Sequence, residues 1–181
     1  MGGNRCGNFI MEKNLNIDLV SPIIPGNSAA GVILGASLNE LDHLFAGAKK
    51  WNRDCQIQVA IEESTSCLEV TTSNPGVPGR IESDYYFARG AVRLSFDANG
   101  ILVMIGLANG YCGLLFNEIK IDDPLVRVLP HADLSYDDVD ELHHASINQQ
   151  EIGLSIYAHE ASLASSPDQK ISRIFIHQDF L

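Results

Sequence analysis

A chain of 181 residues, 45% of them apolar and 19% charged, is long enough to bury one sizeable core, which argues against a wholly disordered protein. Twelve Lys and Arg stand against twenty-three Asp and Glu, giving a formal net charge of −11. A surface of that sign repels phosphate and anionic lipid, so nucleic acid and membrane are not the expected partners; a cationic protein is, although solubility alone also accounts for an acidic chain.

Met1 to Ile10 is Gly/Asn-rich and unlike the rest of the chain. It reads as a disordered extension, with Met11 as the natural start and 11–181 as one α+β domain. No apolar core of signal-peptide length comes after Arg5, and Ile101 to Ala108 is far too short to span a bilayer, so a cytoplasmic location is expected. Cys6, Cys55, Cys67 and Cys112 form no C-x-x-C pair. Cys67 and Cys112 lie in or beside apolar runs and read as small core residues. A Cys55–Cys67 disulfide is possible across a hairpin, but nothing marks the chain as secreted.

In chain order, Met11 to Val20 reads as a weak strand or arm, Ser21 to Asn27 as a loop and Gly31 to Leu34 as a short strand. Ser37 to Ala48 is expected to be helical: Leu38, Leu41, Leu44 and Phe45 fall at helical spacing, and Ser37 with Glu40 makes a capping box. Gln56 to Ile61 alternates polar and apolar and pairs, as a predicted hairpin, with Cys67 to Thr72. Ser73 to Arg80 is a Pro/Gly loop. Tyr85 to Phe96 reads as one long strand or two short ones. Asp97-Ala-Asn-Gly100 is a hairpin turn that returns as the buried strand Ile101 to Leu107.

Gly113 to Leu129 then echoes the earlier chain. Ile119 to Val128 lies over Val32 to Leu41, each copy reading as strand, tight turn and helix start, with Ser37 and Pro124 in the same place. Pro124 to Leu129 is expected to be a short helix, and Asp133 to Ala145 another, with Val139, Leu142 and Ala145 on one face. Ile152 to His159 and Ile171 to Gln178 close the chain as strands. The fold expected from this order is α+β: two related strand–turn–helix units, each followed by antiparallel strands, in halves of about 28–108 and 109–181.

The pattern Gly31-x-x-x-Gly35-x-Ser37-Leu38-x-Glu40-Leu41, the Phe96-Asp-x-Asn-Gly100 hairpin, Gly110-Tyr-x-Gly113 and Ile119-x-Ile-x-Asp-x-Leu125-x-x-Val128 resembles the small bacterial α+β immunity proteins found beside polymorphic or contact-dependent growth-inhibition toxins. It is also reminiscent of the tandem helix–strand architecture of the β-lactamase-inhibitor type. The resemblance spans roughly Gly31 to Val128 and rests on turn glycines and apolar positions, which encode a fold rather than a partner. It implies an inhibitor that covers a toxin's active site, and it transfers no catalytic residue.

Motifs for chemistry are lacking. No phosphate loop or nucleophile elbow occurs, and Gly106-x-x-x-Gly110-x-x-Gly113 has the wrong spacing for either glycine-rich signature. His143-His144 comes after an acidic run, and Asp140 with His144 would share a helix face as metal ligands; a solvated acidic helix is the plainer reading. No cofactor and no metal is therefore expected. The partner-binding candidates are Asp122, Asp123, Asp133, Tyr136, Asp137, Asp138, Asp140 and Glu141, with Tyr85 and Tyr86 as further possible anchors. Helix capping explains some of these acids; a patch built to meet a basic surface explains them together. The expected function is a non-enzymatic immunity protein that neutralises a basic toxin domain. A small-molecule or metal-dependent enzyme and a self-associating module are the alternatives.

Overall fold

Eleven strands and a single α-helix make up the regular structure of the computed structural model, which describes residues 17–51, 55–64, 66–71, 81–159 and 161–178. The α+β expectation is therefore corrected: the protein is mostly β, built on one large sheet. Strands β1 (Ser28–Ala29) and β2 (Val32–Ile33) form a small ribbon. The remaining strands are β3 (Lys49–Lys50), β4 (Leu68–Thr71), β5 (Ile81–Phe87), β6 (Val92–Asp97), β7 (Leu102–Leu107), β8 (Asp133–Asp137), β9 (Leu142–Ile147), β10 (Gln150–Tyr157) and β11 (Arg173–His177). They form a nine-stranded sheet in the order β3-β4-β5-β6-β7-β11-β10-β9-β8, antiparallel except at β3–β4. Helix α1 (Ile57–Glu63) bridges β3 and β4.

Four expected elements changed type. Ser37 to Ala48 forms its capping box, with the Ser37 N–H and hydroxyl both 2.7 Å from Glu40 Oε2, but only Asp42–Leu44 coil further, as a 3-10 turn. At the start of the segment the Leu38 N–H, which a helix beginning there would leave without an internal acceptor, is given to Gly100 O at 2.8 Å. One turn then suffices to bury Leu41 and Leu44 and to set Phe45 on Tyr85. Pro124 to Leu129 is likewise reduced to a 3-10 turn at Leu125–Val128. Asp133 to Ala145, expected as a helix, is the β8–β9 hairpin. Its flanks alternate, and Asp137 closes the turn by accepting the Val139 N–H at 2.8 Å. Conversely Gln56 to Ile61, expected as a strand, is most of α1: Ile57, Ala60 and Ile61 are also spaced for a helix, and they pack on Leu68, Val70 and Tyr86. Of the weak arm Met11 to Val20, only 17–20 is described, and it is not strand; the loop Ser73 to Arg80 and the extension Met1 to Ile10 lie outside the described residues.

The Asp97–Gly100 hairpin and the two closing strands are present. Cys55, Cys67 and Cys112 are free thiols. Burial, with the Glu69 charge adding to it, pushes the Cys67 thiol up to about 12, which leaves it an inert core residue.

The echoing stretches share a hydrogen-bond pattern. Gly35 donates to Leu102 O, Leu102 to Ala36 O and Leu38 to Gly100 O; Asp122 donates to Ile171 O, Ile171 to Asp123 O and Leu125 to Gln169 O. Gly35 and Asp122 both sit at positive φ, 85° and 74°. Aspartate is among the side chains that tolerate that region best, which is why the two turns match without a shared residue. The sheet extends the match: β4-β5-β6-β7 and β8-β9-β10-β11 are both antiparallel meanders, and they meet at β7–β11. There Leu107 pairs with Ile174 and Ile105 with Ile176, as a pseudo-two-fold axis through the seam requires.

One face of this sheet carries Phe87, Leu94, Phe96, Ile105, Leu154, Ile156, Ile174 and Ile176. These pack with Ile23, Val32, Leu34, Leu115, Ile119, Ile121, Leu125 and Val128 from the largely non-strand segments before β3 and before β8. Tyr111 pins those two segments together. Its hydroxyl donates to Ser21 O at 2.7 Å and accepts the Ala30 N–H at 3.0 Å.

The other face belongs to a different population. On the first meander it is covered by α1. On the second, among the described residues, no helix lies over it.

Candidate functional site

The β8–β9 hairpin gathers most of the acidic stretch at the rim of the sheet. Strand β8 is the last in the order, so its outer backbone edge has no strand beside it among the described residues. Asp133 opens β8 opposite Ser146, and Tyr136 sits opposite His143 with its ring 4.9 Å from the imidazole. Asp137 closes the turn, Asp138 and Asp140 are exposed, and Glu141 is half-buried. Between them Val139 is 84% exposed, an apolar tip inside an anionic ring. No ion pair among the described residues reaches these five carboxylates.

Asp122 and Asp123 belong elsewhere in the fold. Asp123 Oδ2 accepts the Lys120 N–H at 3.1 Å and bonds Arg127 Nη1 at 2.6 Å. Arg127 also reaches Glu118 at 3.6 Å, and Glu118 meets His131 at 2.7 Å, with Phe116 stacked on that imidazole. Asp123 is thus a local structural cap, and Asp122 is the turn residue whose positive φ matches that of Gly35. The expected anchor Tyr85 is a core residue packed on Phe45 and Phe96, and Tyr86 lies beneath α1, so neither stands with the hairpin.

The expected Asp140–His144 pair on one helix face does not form, because the segment is a hairpin. Among the described residues no cluster of three or more His, Cys, Asp or Glu is arranged to hold a metal. The structure instead puts His143 and His144 on opposite faces of β9. His144 Nδ1 and His177 Nε2 each lie 2.9 Å from Ser155 Oγ, a three-strand row that no local motif announces. The hydroxyl has one proton to give, so it donates to at most one imidazole and accepts an N–H from the other. Ser155 is 2% exposed, and the row therefore reads as a satisfied polar rib of the sheet.

His143 is 1% exposed, and its Nε2 has no hydrogen-bond partner among the described residues. Burial holds its pKa below the ordinary 6.5, against an opposing pull from nearby Gln169 and Ala161 O. Gln169 is already committed: its Nε2 donates to Ala161 O at 3.2 Å, and its Oε1 accepts the His159 N–H at 3.0 Å. The folded state therefore binds fewer protons at His143 than the unfolded chain does. Stability from this site is complete above pH 6.5 and falls as the pH drops through 6.5 toward the lowered value. The expected result is a urea midpoint that declines from pH 7 to about 5.5, more steeply in the wild type than in His143→Phe. Parallel pH profiles for the two proteins would contradict it.

No protein-family model matches the chain, and neither the characterised proteins nor the solved structures contain a detectable relative. No helix among the described residues is long and apolar enough to cross a membrane.

Proposed function

We propose that the protein is a binding module of the immunity type, which neutralises a basic bacterial toxin domain by docking it on the β8–β9 hairpin. One observation carries this reading: among the described residues, an edge strand with an open backbone side, five carboxylates without a cation beside them, and an exposed Val139 all occur in one hairpin. An acidic edge also guards a sheet against self-pairing, but that role does not call for an apolar residue at the tip. The three features have separate uses in recognition. The charge speeds encounter with a cationic surface, the open edge accepts a partner strand, and Val139 supplies an apolar contact where charge alone gives little lasting affinity.

The test is association kinetics with a basic toxin domain, sought among the products of the genes beside this one. Asp138 and Asp140 are exposed and outside the strands, so Asp138→Lys/Asp140→Lys preserves the fold. The association rate should fall by about tenfold or more and lose much of its salt dependence. An unchanged rate with unchanged salt dependence would remove the hairpin from the interface. Absence of any complex, together with no protection of cells from that domain, would sink the immunity reading itself.

A further inference from the structure

Beneath α1 lies a cleft remote in sequence from the acidic hairpin and opposite to it in charge. Its floor is the sheet row Tyr86–Arg93–Gly106–Phe175, one residue from each of β5, β6, β7 and β11. Ile57, Gln58 and Ile61 of α1 form the wall, and Arg173 stands at the side. At Gly106 the row is closed in by its neighbours: a Cβ there would lie 3.3 Å from the Phe175 ring and 3.4 Å from Arg93 Cβ. Both larger side chains therefore frame the glycine instead of being displaced by a third.

Two guanidiniums face this space, and each rests over a tyrosine: Arg93 lies 5.7 Å from the Tyr86 ring centroid and Arg173 lies 5.9 Å from that of Tyr157. Their charges are not equally committed. Asp84 takes Arg93 bidentately, at 2.9 and 2.8 Å, and also accepts the Ser95 hydroxyl at 2.6 Å. Arg173 has no carboxylate within ion-pairing distance among the described residues. Glu62, the carboxylate nearest in sequence on α1, accepts from Gln58 and stands outside the lining. In a chain of net charge −11, the cleft thus retains one uncompensated cation beside aromatic and aliphatic walls.

We propose that this cleft binds a small aromatic carboxylate, its ring between α1 and Phe175 and its anion on Arg173. Size supports a single ring. The space is about 170 Å³, close to the roughly 150 Å³ cavity that admits benzene and below the ~300 Å³ at which drug-sized pockets begin. Chemistry supports the carboxylate, because a guanidinium offers it two parallel donors.

Benzoate is the probe and benzamide its neutral counterpart, titrated against the full-length protein by ¹H–¹⁵N NMR. Benzoate should bind in the millimolar range or tighter, shift the Gly106 and Phe175 amides, and bind about tenfold more strongly than benzamide, the preference expected of a charge-assisted contact. Arg173→Gln, an exposed change that touches no core contact, should remove the preference while leaving the dispersion of the spectrum intact. Equal binding of benzamide, an unchanged preference in Arg173→Gln, shifts confined to other residues, or no saturable shifts at all would each overturn the assignment.

Discussion

Phe96→Ala should destabilise the protein by about 3–5 kcal/mol, the range found when a buried phenylalanine is cut back to its Cβ. Phe96 has no exposed surface and meets two rings edge-on, Phe45 at 5.8 Å and Tyr85 at 5.6 Å. Phe45 is the side chain by which the 3-10 segment after the capping box is anchored to β5, at 4.2 Å from Tyr85 and 6.1 Å from Phe87. Truncation therefore removes both transfer energy and the edge contacts that orient this aromatic group, and the sheet backbone on either side cannot collapse into the gap. Urea unfolding monitored by tryptophan fluorescence and far-UV circular dichroism reads the effect as a lowered midpoint with an unchanged slope. A loss below about 1 kcal/mol would mean that the cluster is far more plastic than its packing implies.

Asp84→Ala should cost about 3 kcal/mol, for a different reason. The substitution leaves the Arg93 guanidinium beneath α1 without its bidentate partner and deprives the Ser95 hydroxyl of its acceptor. Burial works to lower the Arg93 pKa, and the Asp84 hydrogen bonds and charge, with a smaller contribution from Tyr86, overcome it and raise it; removing Asp84 takes away the larger part of that opposition. The figure sits at the low end for a broken buried pair because the Arg93 side chain keeps 30% of its surface and can turn toward water. Asp84→Ala/Arg93→Met, which removes both charges, should recover at least half of the loss. If the double variant is no more stable than the single, the damage comes from lost packing and not from a stranded charge.

Particular turns are legible in the residues themselves, although the α+β class expected from them is not the fold. Ser37 and Glu40 announce a capping box that forms, Asp97 to Gly100 announces a hairpin that forms, and the echo of Val32 to Leu41 in Ile119 to Val128 corresponds to matching hydrogen bonds. What the residues do not settle is the choice between helix and strand where apolar positions suit both periods. Val139, Leu142 and Ala145 fit one helix face, yet Leu134, Tyr136, His143 and Ala145 fit the core side of a hairpin, and the open flank of β10 decides in favour of the latter. Ile57, Ala60 and Ile61 are decided the other way by the apolar patch of Leu68, Val70 and Tyr86 that they cover.

The candidate site divides along the same line. An acidic run from Glu118 to Glu141 is visible in one dimension, but its separation into a neutralised part and an open part is not. Arg127 and His131 lie within that run, and only the folded turn brings them onto Asp123 and Glu118. The cleft under α1 was further from reach, since Tyr86, Arg93, Gly106 and Phe175 come from four strands and meet through register alone.

The seam between β7 and β11 sets how the chain must assemble. Every other antiparallel pairing in the large sheet joins strands that are consecutive in sequence, so each meander can close short loops one after another. The β7–β11 contact instead waits on everything between Leu107 and Arg173. The entropy of closing a long loop is thus concentrated in one pairing, and the rate at which that pairing is found governs when the two halves become one sheet.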